Sequence, residues 1–266
     1  MPNTNFSVAF MGVVGSSAIG NKQRARCGAN TSCVLVKIDG KRPIIIDMGT
    51  GLARITGVND ADILLSHFHY DHIEGMPFFS QFFVGGEFNI YSRPLKGVDV
   101  KTALTNFIRE PYLPITMDFF KANINFHNIC EEKFVTAGGT NVESIALDHP
   151  GGSTGYKISQ GEKKLVYLCD NDRVDQKIID FCKHADLIIF DSFFTEEQYS
   201  SGKFKGWGHS HHMAGLELLK SSDAKKIAFT HHAPSRTDDE LFHIAMNVRK
   251  HSPDSFVAID DMIVNL

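Results

Sequence analysis

Long hydrophobic runs are missing from this sequence. No window of its 266 residues approaches the ~18 uninterrupted apolar residues of a membrane span, so no membrane role is expected. Met1-Pro2-Asn3-Thr4-Asn5 carries no basic n-region, and the apolar stretch behind it is short and broken by glycine, which argues against an export signal. Cysteine is sparse: Cys27, Cys33, Cys130, Cys169 and Cys182 are scattered, odd in number and never in C-x-x-C spacing. Free thiols in a reducing, cytoplasmic setting are expected, and a thiolate zinc site is not. An excess of basic charge is also absent. The 27 Lys+Arg against 31 Asp+Glu give a net charge of −4, and the small clusters at 22–26, Lys41-Arg42, Lys163-Lys164, Lys225-Lys226 and Arg249-Lys250 read as solvated surface. Long nucleic acid is therefore a disfavoured partner, whereas a nucleotide-sized ligand is not. With no linker, repeat or low-complexity tract, residues 1–266 read as a single domain.

What is present is concentrated in Ser66-His67-Phe68-His69-Tyr70-Asp71-His72. This stretch follows the apolar run Ala61-Asp62-Ile63-Leu64-Leu65, a buried strand, and leads into Ile73-Glu74-Gly75-Met76-Pro77-Phe78-Phe79, the expected entry to a helix. Strand-to-helix loops are where open α/β layers place their chemistry. In an extended segment residues i and i+2 point the same way, so His67 and His69 can face one ion. Asp71 and His72 can reach a second. Imidazole plus carboxylate suits zinc, manganese or iron, and paired ions form a clamp for hydrolysis. A lone histidine here would read as a satisfied polar residue; H-x-H-x-D-H after an apolar strand does not.

Along the chain, 6–16 reads as a strand into a glycine turn. Val34-Leu35-Val36-Lys37-Ile38 and Pro43-Ile44-Ile45-Ile46-Asp47 form a hairpin about Asp39-Gly40. A short helix is expected at 52–58, helices at 98–109, 175–183, 213–220 and 237–250, and a last strand at 255–259. The phenylalanine-rich 78–83 reads as core. Pro111 and Pro114 break any helix at 109–115, leaving a lid or partner-contact loop. Strands at 124–126, 142–146, 155–158, 165–168, 187–190 and 226–230 fill the second half. Strand-rich and helical stretches alternate twice, which suggests two sheets face to face with helices outside.

Three more ligand-type residues stand at strand ends: His149, Asp170 and His231. Each alone is equally well read as a cap or turn residue. Together with the first loop they supply six side chains and a carboxylate able to bridge.

These motifs resemble the metallo-β-lactamase superfamily, from the Gly12–Ser16 turn to Thr230-His231. The resemblance implies a four-layer αββα sandwich with a dinuclear centre at one edge. By it His67, His69 and His149 hold one ion, Asp71, His72 and His231 hold the other, and Asp170 bridges. His232 is the neighbouring alternative to His231. Asp47 resembles an acid that supports the ligand loop from behind. Two divalent ions, zinc or else manganese or iron, are the implied cofactors.

Phe190-Asp191-Ser192 followed by Gly206-Trp207-Gly208-His209-Ser210-His211 is similar to the phosphodiesterase branch that includes ribonuclease Z, where His211 is usually Thr. Carried over, Asp191 orients His209, which serves the departing alkoxide, and Asp71 takes the proton of the attacking water. Ribonuclease Z commonly inserts a tRNA-gripping arm between its His149-type and Asp170-type ligands; here they are 21 positions apart, with no room for one. The wider pattern, including Asn30-Thr31-Ser32-Cys33 and Asp47-Met48-Gly49-Thr50-Gly51, also resembles stand-alone bacterial and phage hydrolases, some of which cleave cyclic nucleotides. The expectation is a metal-dependent phosphodiesterase acting on a small phosphodiester such as a cyclic mononucleotide. Rivals are an RNA endonuclease and a lactone or thioester hydrolase. A homodimer is implied by the resemblance alone. His211 and His212 have no assigned role.

Overall fold

A computed structural model describes residues 5–20 and 22–266. The reading of the N-terminus concerns Met1 to Thr4, which lie outside the described residues.

Fourteen strands are described: β1 (Phe6–Gly12), β2 (Cys33–Ile38), β3 (Ile44–Ile46), β4 (Ala61–Leu64), β5 (Glu87–Ser92), β6 (Asn123–Asn128), β7 (Lys133–Val135), β8 (Asn141–Leu147), β9 (Ser153–Gln160), β10 (Lys163–Leu168), β11 (Leu187–Asp191), β12 (Ile227–Thr230), β13 (Phe256–Val257) and β14 (Ile263–Asn265). They form two seven-stranded sheets, in the orders β14-β1-β2-β3-β4-β5-β6 and β13-β12-β11-β10-β9-β8-β7. Both are mixed. The β1/β2 and β2/β3 pairs are antiparallel and β3 to β6 run parallel; β7 to β10 are antiparallel neighbours and β10 to β13 run parallel.

The period-two pattern of the strands explains the layering. In β1, Phe6, Val8 and Phe10 point into the core between the sheets, while Ala9 and Met11 face the outer layer. In β10 and the residue after it, Leu165, Tyr167 and Cys169 face the other sheet, and Val166 and Leu168 face outward. Outside the first sheet lie α1 (Ser80–Val84) and α2 (Val100–Phe107); outside the second lie α3 (Gln176–Cys182), α4 (Glu196–Ser200), α5 (His212–Ser222) and α6 (Asp238–His251). The result is the expected αββα sandwich. The longest helix is well signalled: Thr237 and Glu240 make a reciprocal capping box, with three acids in the first turn and three basic residues in the last.

Several local expectations need correcting. The helix expected at 52–58 is a 3-10 turn, Thr50–Arg54. The metal loop ends in one more such turn, Tyr70–His72, and Met76–Phe78 makes another before the five-residue α1; Gly75 and Pro77 prevent a longer helix. Phe79 and Phe82 are core, as expected, but Phe78 is exposed because that 3-10 turn rotates it outward. The last strand is β14, which pairs with β1, and β13 spans only two residues. β7 and α4 were not foreseen; both are short and their apolar residues few.

Candidate dinuclear metal centre

Every residue of the expected cluster stands at or beyond the C-terminal end of a strand. β4 delivers the loop Ser66–His72, β8 delivers His149, β10 delivers Asp170 and β12 delivers His231. Asp47, Asp170 and His231 each take left-handed backbone, with φ of 62°, 59° and 57°. Non-glycine residues seldom do so, and a cost of order 1 kcal/mol each marks the turns that swing these side chains over the sheet edge.

The donors form two groups that share Asp170. Ring nitrogens of His67, His69 and His149 and an oxygen of Asp170 lie within 4.8 Å of one another; so do donor atoms of His72, Cys169, Asp170 and His231. Within the first group, His149 Nε2 is 3.0 Å from His69 Nδ1 and 3.3 Å from Asp170 Oδ2. Within the second, Asp170 Oδ1 is 3.2 Å from His72 Nε2 and 3.3 Å from His231 Nδ1. Asp71 Oδ2 is 3.4 Å from His72 Nε2 and 3.8 Å from His231 Nε2, and it accepts the Ser16 amide at 2.7 Å.

The surroundings fix which nitrogen each histidine turns inward. Asp47 accepts the Ser66 amide at 2.7 Å, the Ser66 hydroxyl at 2.9 Å and the Tyr167 hydroxyl at 2.7 Å. Its Oδ2 also accepts His72 Nδ1–H at 2.8 Å, which turns Nε2 of that ring into the cluster; burial opposes charge on this imidazole, but Asp71, Asp170 and Asp47 outweigh it and raise the ring well above its usual range in the absence of a cation. The Gly208 carbonyl accepts His149 Nδ1–H at 2.8 Å with the same effect. Burial, reinforced by neighbouring imidazoles, pushes the His67 ring well below its usual range, and burial lowers His69 and His149 as well, so these rings favour the neutral form that a cation needs. Burial alone would raise the Asp170 carboxyl, but His231, His72 and His67 outweigh it and hold it well below the carboxylate range. Asp71 is lowered likewise: burial opposes, and His72 outweighs it.

The pocket fits metal ions. His67 Nε2 and His72 Nε2 are buried with no hydrogen-bond partner among the described residues, a costly state for two polar atoms unless a cation completes it. Space is kept for the rings: a Cβ on Gly15 would stand 2.5 Å from the His231 ring, and one on Gly208 2.6 Å from His149 Nδ1.

Beside this cluster, His209 Nδ1 donates to Asp191 Oδ2 at 2.8 Å and lies 4.0 Å from Asp170 Oδ2. The His209 ring stacks on Phe193 at 4.5 Å and on His231 at 5.0 Å. Burial pulls its pKa down, but Asp191 more than compensates and raises it to about 9. Two clefts are lined in part by sequence neighbours of the donors, Tyr70 in one and Asp172 in the other. One of about 400 Å³ is lined by Tyr70, Pro77, Phe78, Phe107, Tyr112 and Leu113, so the 109–115 loop forms one of its walls. The other, about 320 Å³, is lined by Asp172, Arg173, Tyr199, Phe204 and Lys205.

The model of the beta-lactamase superfamily domain matches residues 44–232, which is most of the chain. The chain belongs to the beta-lactamase superfamily. Among relatives in that superfamily, it is 25% identical over 203 residues to a probable metallo-hydrolase, YhfI of Bacillus subtilis, covering 72% of this chain and 76% of that one. It is 25% identical over 293 residues to a ribonuclease Z of Clostridium perfringens, covering 86% and 90%. Its fold matches the crystal structure of the Bacillus subtilis YhfI protein with a TM-score of 0.75 at 18% identity, over 99% of this chain and 100% of the other. Together with this family, the relatives mark the chain as a hydrolase of the metallo-β-lactamase fold.

The structure brings together all the residues singled out from the sequence: His67, His69, Asp71, His72, His149, Asp170 and His231 in the cluster, Asp191 and His209 beside it. His232 is turned away, its Nε2 donating to the Ala258 carbonyl. His211 precedes α5 against Tyr199, and His212 opens that helix. Sequence reasoning missed Cys169, Ser66, Tyr167 and Ser16. A signal for Cys169 did exist: it sits next to Asp170 and two residues beyond the inward-facing Tyr167.

Proposed function

We propose that this hydrolase is a dinuclear metal-dependent phosphodiesterase that cleaves a small phosphodiester, with a cyclic mononucleotide the foremost substrate class. The Asp191–His209 pair beside the donor cluster carries this reading. Bound divalent ions, held by His67, His69 and His149 on one side, by Asp71, His72 and His231 on the other and by Asp170 between, would offset phosphate charge and acidify water. Zinc suits these imidazole and carboxylate donors, with manganese or iron as alternatives. Asp71, whose Oδ2 is held by the Ser16 amide, accepts the proton that the attacking water loses. His209 keeps Nδ1–H on Asp191, and its Nε2 delivers a proton to the departing ester oxygen. Acyl transfer needs no such phosphate-facing acid, so the pair speaks against a lactone or thioester.

A small substrate is favoured by the chain between His149 and Asp170. It is a single hairpin, β9 and β10 about Gly161, and offers no arm to grip a folded RNA. The two clefts are of the size that holds small ligands. The second reading is an RNA endonuclease, supported by the likeness to a ribonuclease Z over 86% of this chain. The five cysteines are free and no described helix is long and apolar enough to cross a membrane; a cytoplasmic setting and a homodimer complete the proposal.

The test is turnover of 3′,5′-cyclic purine and pyrimidine mononucleotides, cyclic dinucleotides and a precursor tRNA by zinc- and manganese-loaded protein, with His209→Ala alongside. Selective cleavage of cyclic mononucleotides is expected, with kcat about 10²–10⁴-fold lower in the variant at unchanged metal content. Preferred cleavage of the tRNA would overturn the small-substrate reading, and full activity of the variant would remove His209 from the chemistry.

A further inference from the structure

Cys169 lies 0% exposed at the end of β10, on the side facing the other sheet. Its Sγ is 3.2 Å from Asp170 Oδ1 and 4.0 Å from Ser32 Oγ, and it falls within 4.8 Å of donor atoms of both His72 and His231. Neighbouring this thiol is His72 Nε2, an imidazole nitrogen fully buried and without a hydrogen-bond partner among the described residues. The four donors are compact enough to surround one ion. Zinc–nitrogen and zinc–oxygen bonds near 2.0 Å give tetrahedral donor–donor edges of about 3.3 Å, and a zinc–sulfur bond near 2.3 Å gives a sulfur–oxygen edge of about 3.5 Å. The Asp170–His72 separation is 3.2 Å and the Asp170–Cys169 separation is 3.2 Å; His231 Nδ1, 3.3 Å from Asp170, is shared with the Ser32 hydroxyl at 3.0 Å.

We propose that Cys169 is a sulfur donor to the ion held by His72, Asp170 and His231, so that this half of the centre is a mixed sulfur, nitrogen and oxygen site. The S–H proton leaves to solvent as the sulfur–metal bond forms. Asp71, 3.4 Å from His72 Nε2, would remain a further donor to the same ion. The sulfur lies on the inter-sheet side, where Tyr167 and Leu165 precede it on the strand. A soft donor in one half makes the two halves chemically unequal and biases this one toward zinc over manganese. The assignment rests on the two-metal reading above.

The experiment uses full-length metal-free protein titrated with cobalt(II), read by absorption. Wild type should show d–d bands for two ions and a near-ultraviolet thiolate-to-cobalt charge-transfer band. Cys169→Ser should lose that band, keep cobalt at the first half and bind the second ion at least about tenfold more weakly. Cys33→Ser, whose thiol lies in the outer core, serves as a buried-cysteine control. If Cys169→Ser does not fold, X-ray absorption of the zinc-loaded wild type gives the answer: one sulfur neighbour for two zinc ions is expected. Two bound ions with no charge-transfer band and no sulfur neighbour would overturn the sulfur assignment alone. Failure to bind two ions would overturn the metal centre on which it rests.

Discussion

The two halves of the donor cluster are built differently. The half made by His67, His69 and His149 has an open flank, because His69 is exposed and its ring packs against those of His67 and His149. The half around His72 and His231 is closed. His72 is 0% exposed and its far nitrogen is clamped by Asp47, while the Ser32 hydroxyl stands 3.0 Å from His231 Nδ1. One carboxylate, Asp170, ties them together. Both halves have a clamped ring, but the first has the more open flank, an arrangement that would hold one of the proposed ions more firmly and leave the other more open to solvent and incoming ligands.

The difference can be broken most completely at the shared residue. Asp170→Ala should abolish occupancy of both halves and reduce phosphodiesterase activity to background, as measured by metal analysis of the purified variant together with turnover. Retention of either ion would show that the halves are independent. The contrast is sharpened by separating them. His69→Ala should cost one equivalent of metal and spare the other, whereas Asp47→Asn should weaken only the closed half, by about 10–100-fold in affinity, in competition with a chelator. Equal losses at both halves in Asp47→Asn would refute the asymmetry. The smallest effect concerns His209 in metal-free protein. Because Asp191 raises its pKa from 6.5 to about 9, the pair stabilises the fold fully below 6.5, and that contribution is lost as pH rises through about 9. Chemical denaturation at pH 6 and 10 should show the loss, and Asp191→Asn should remove most of the pH dependence. A His209 resonance, assigned by its loss in His209→Ala, that titrates near 6.5 in the wild type would contradict it.

How far the sequence carries depends on how local the determining contacts are. The first loop is legible because H-x-H-x-D-H packs its donors into six residues after one strand. His149, Asp170 and His231 are legible because strand ends can be read one at a time, although their convergence depends on β8, β10 and β12 sharing one sheet. The Asp191–His209 pair rests on a motif, and the structure supplies the 2.8 Å bond. What was not legible depends on contacts across the sandwich. Tyr167 reaches Asp47 across 120 positions, and Ser16 reaches Asp71 across 55. Cys169 was discounted because thiol sites were sought by spacing along the chain, whereas this thiol meets its neighbours by lying under them. Short elements such as α4 and β14 escaped because few residues set their pattern; β14 exists because β1 offers it a free edge.

The bond from His149 Nδ1 to the Gly208 carbonyl has a thermodynamic consequence. Gly208 immediately precedes His209, so the loop that carries the proposed proton donor and the His149 ring are one mechanical unit. Free energies of binding are reciprocal. Whatever a ligand gains by drawing the 206–211 loop onto itself while metal is present, the metal gains in retention while that ligand is bound, by the same factor. A slowly released product would therefore act as a lock on the ion, and a chelator would strip the resting enzyme faster than the working one.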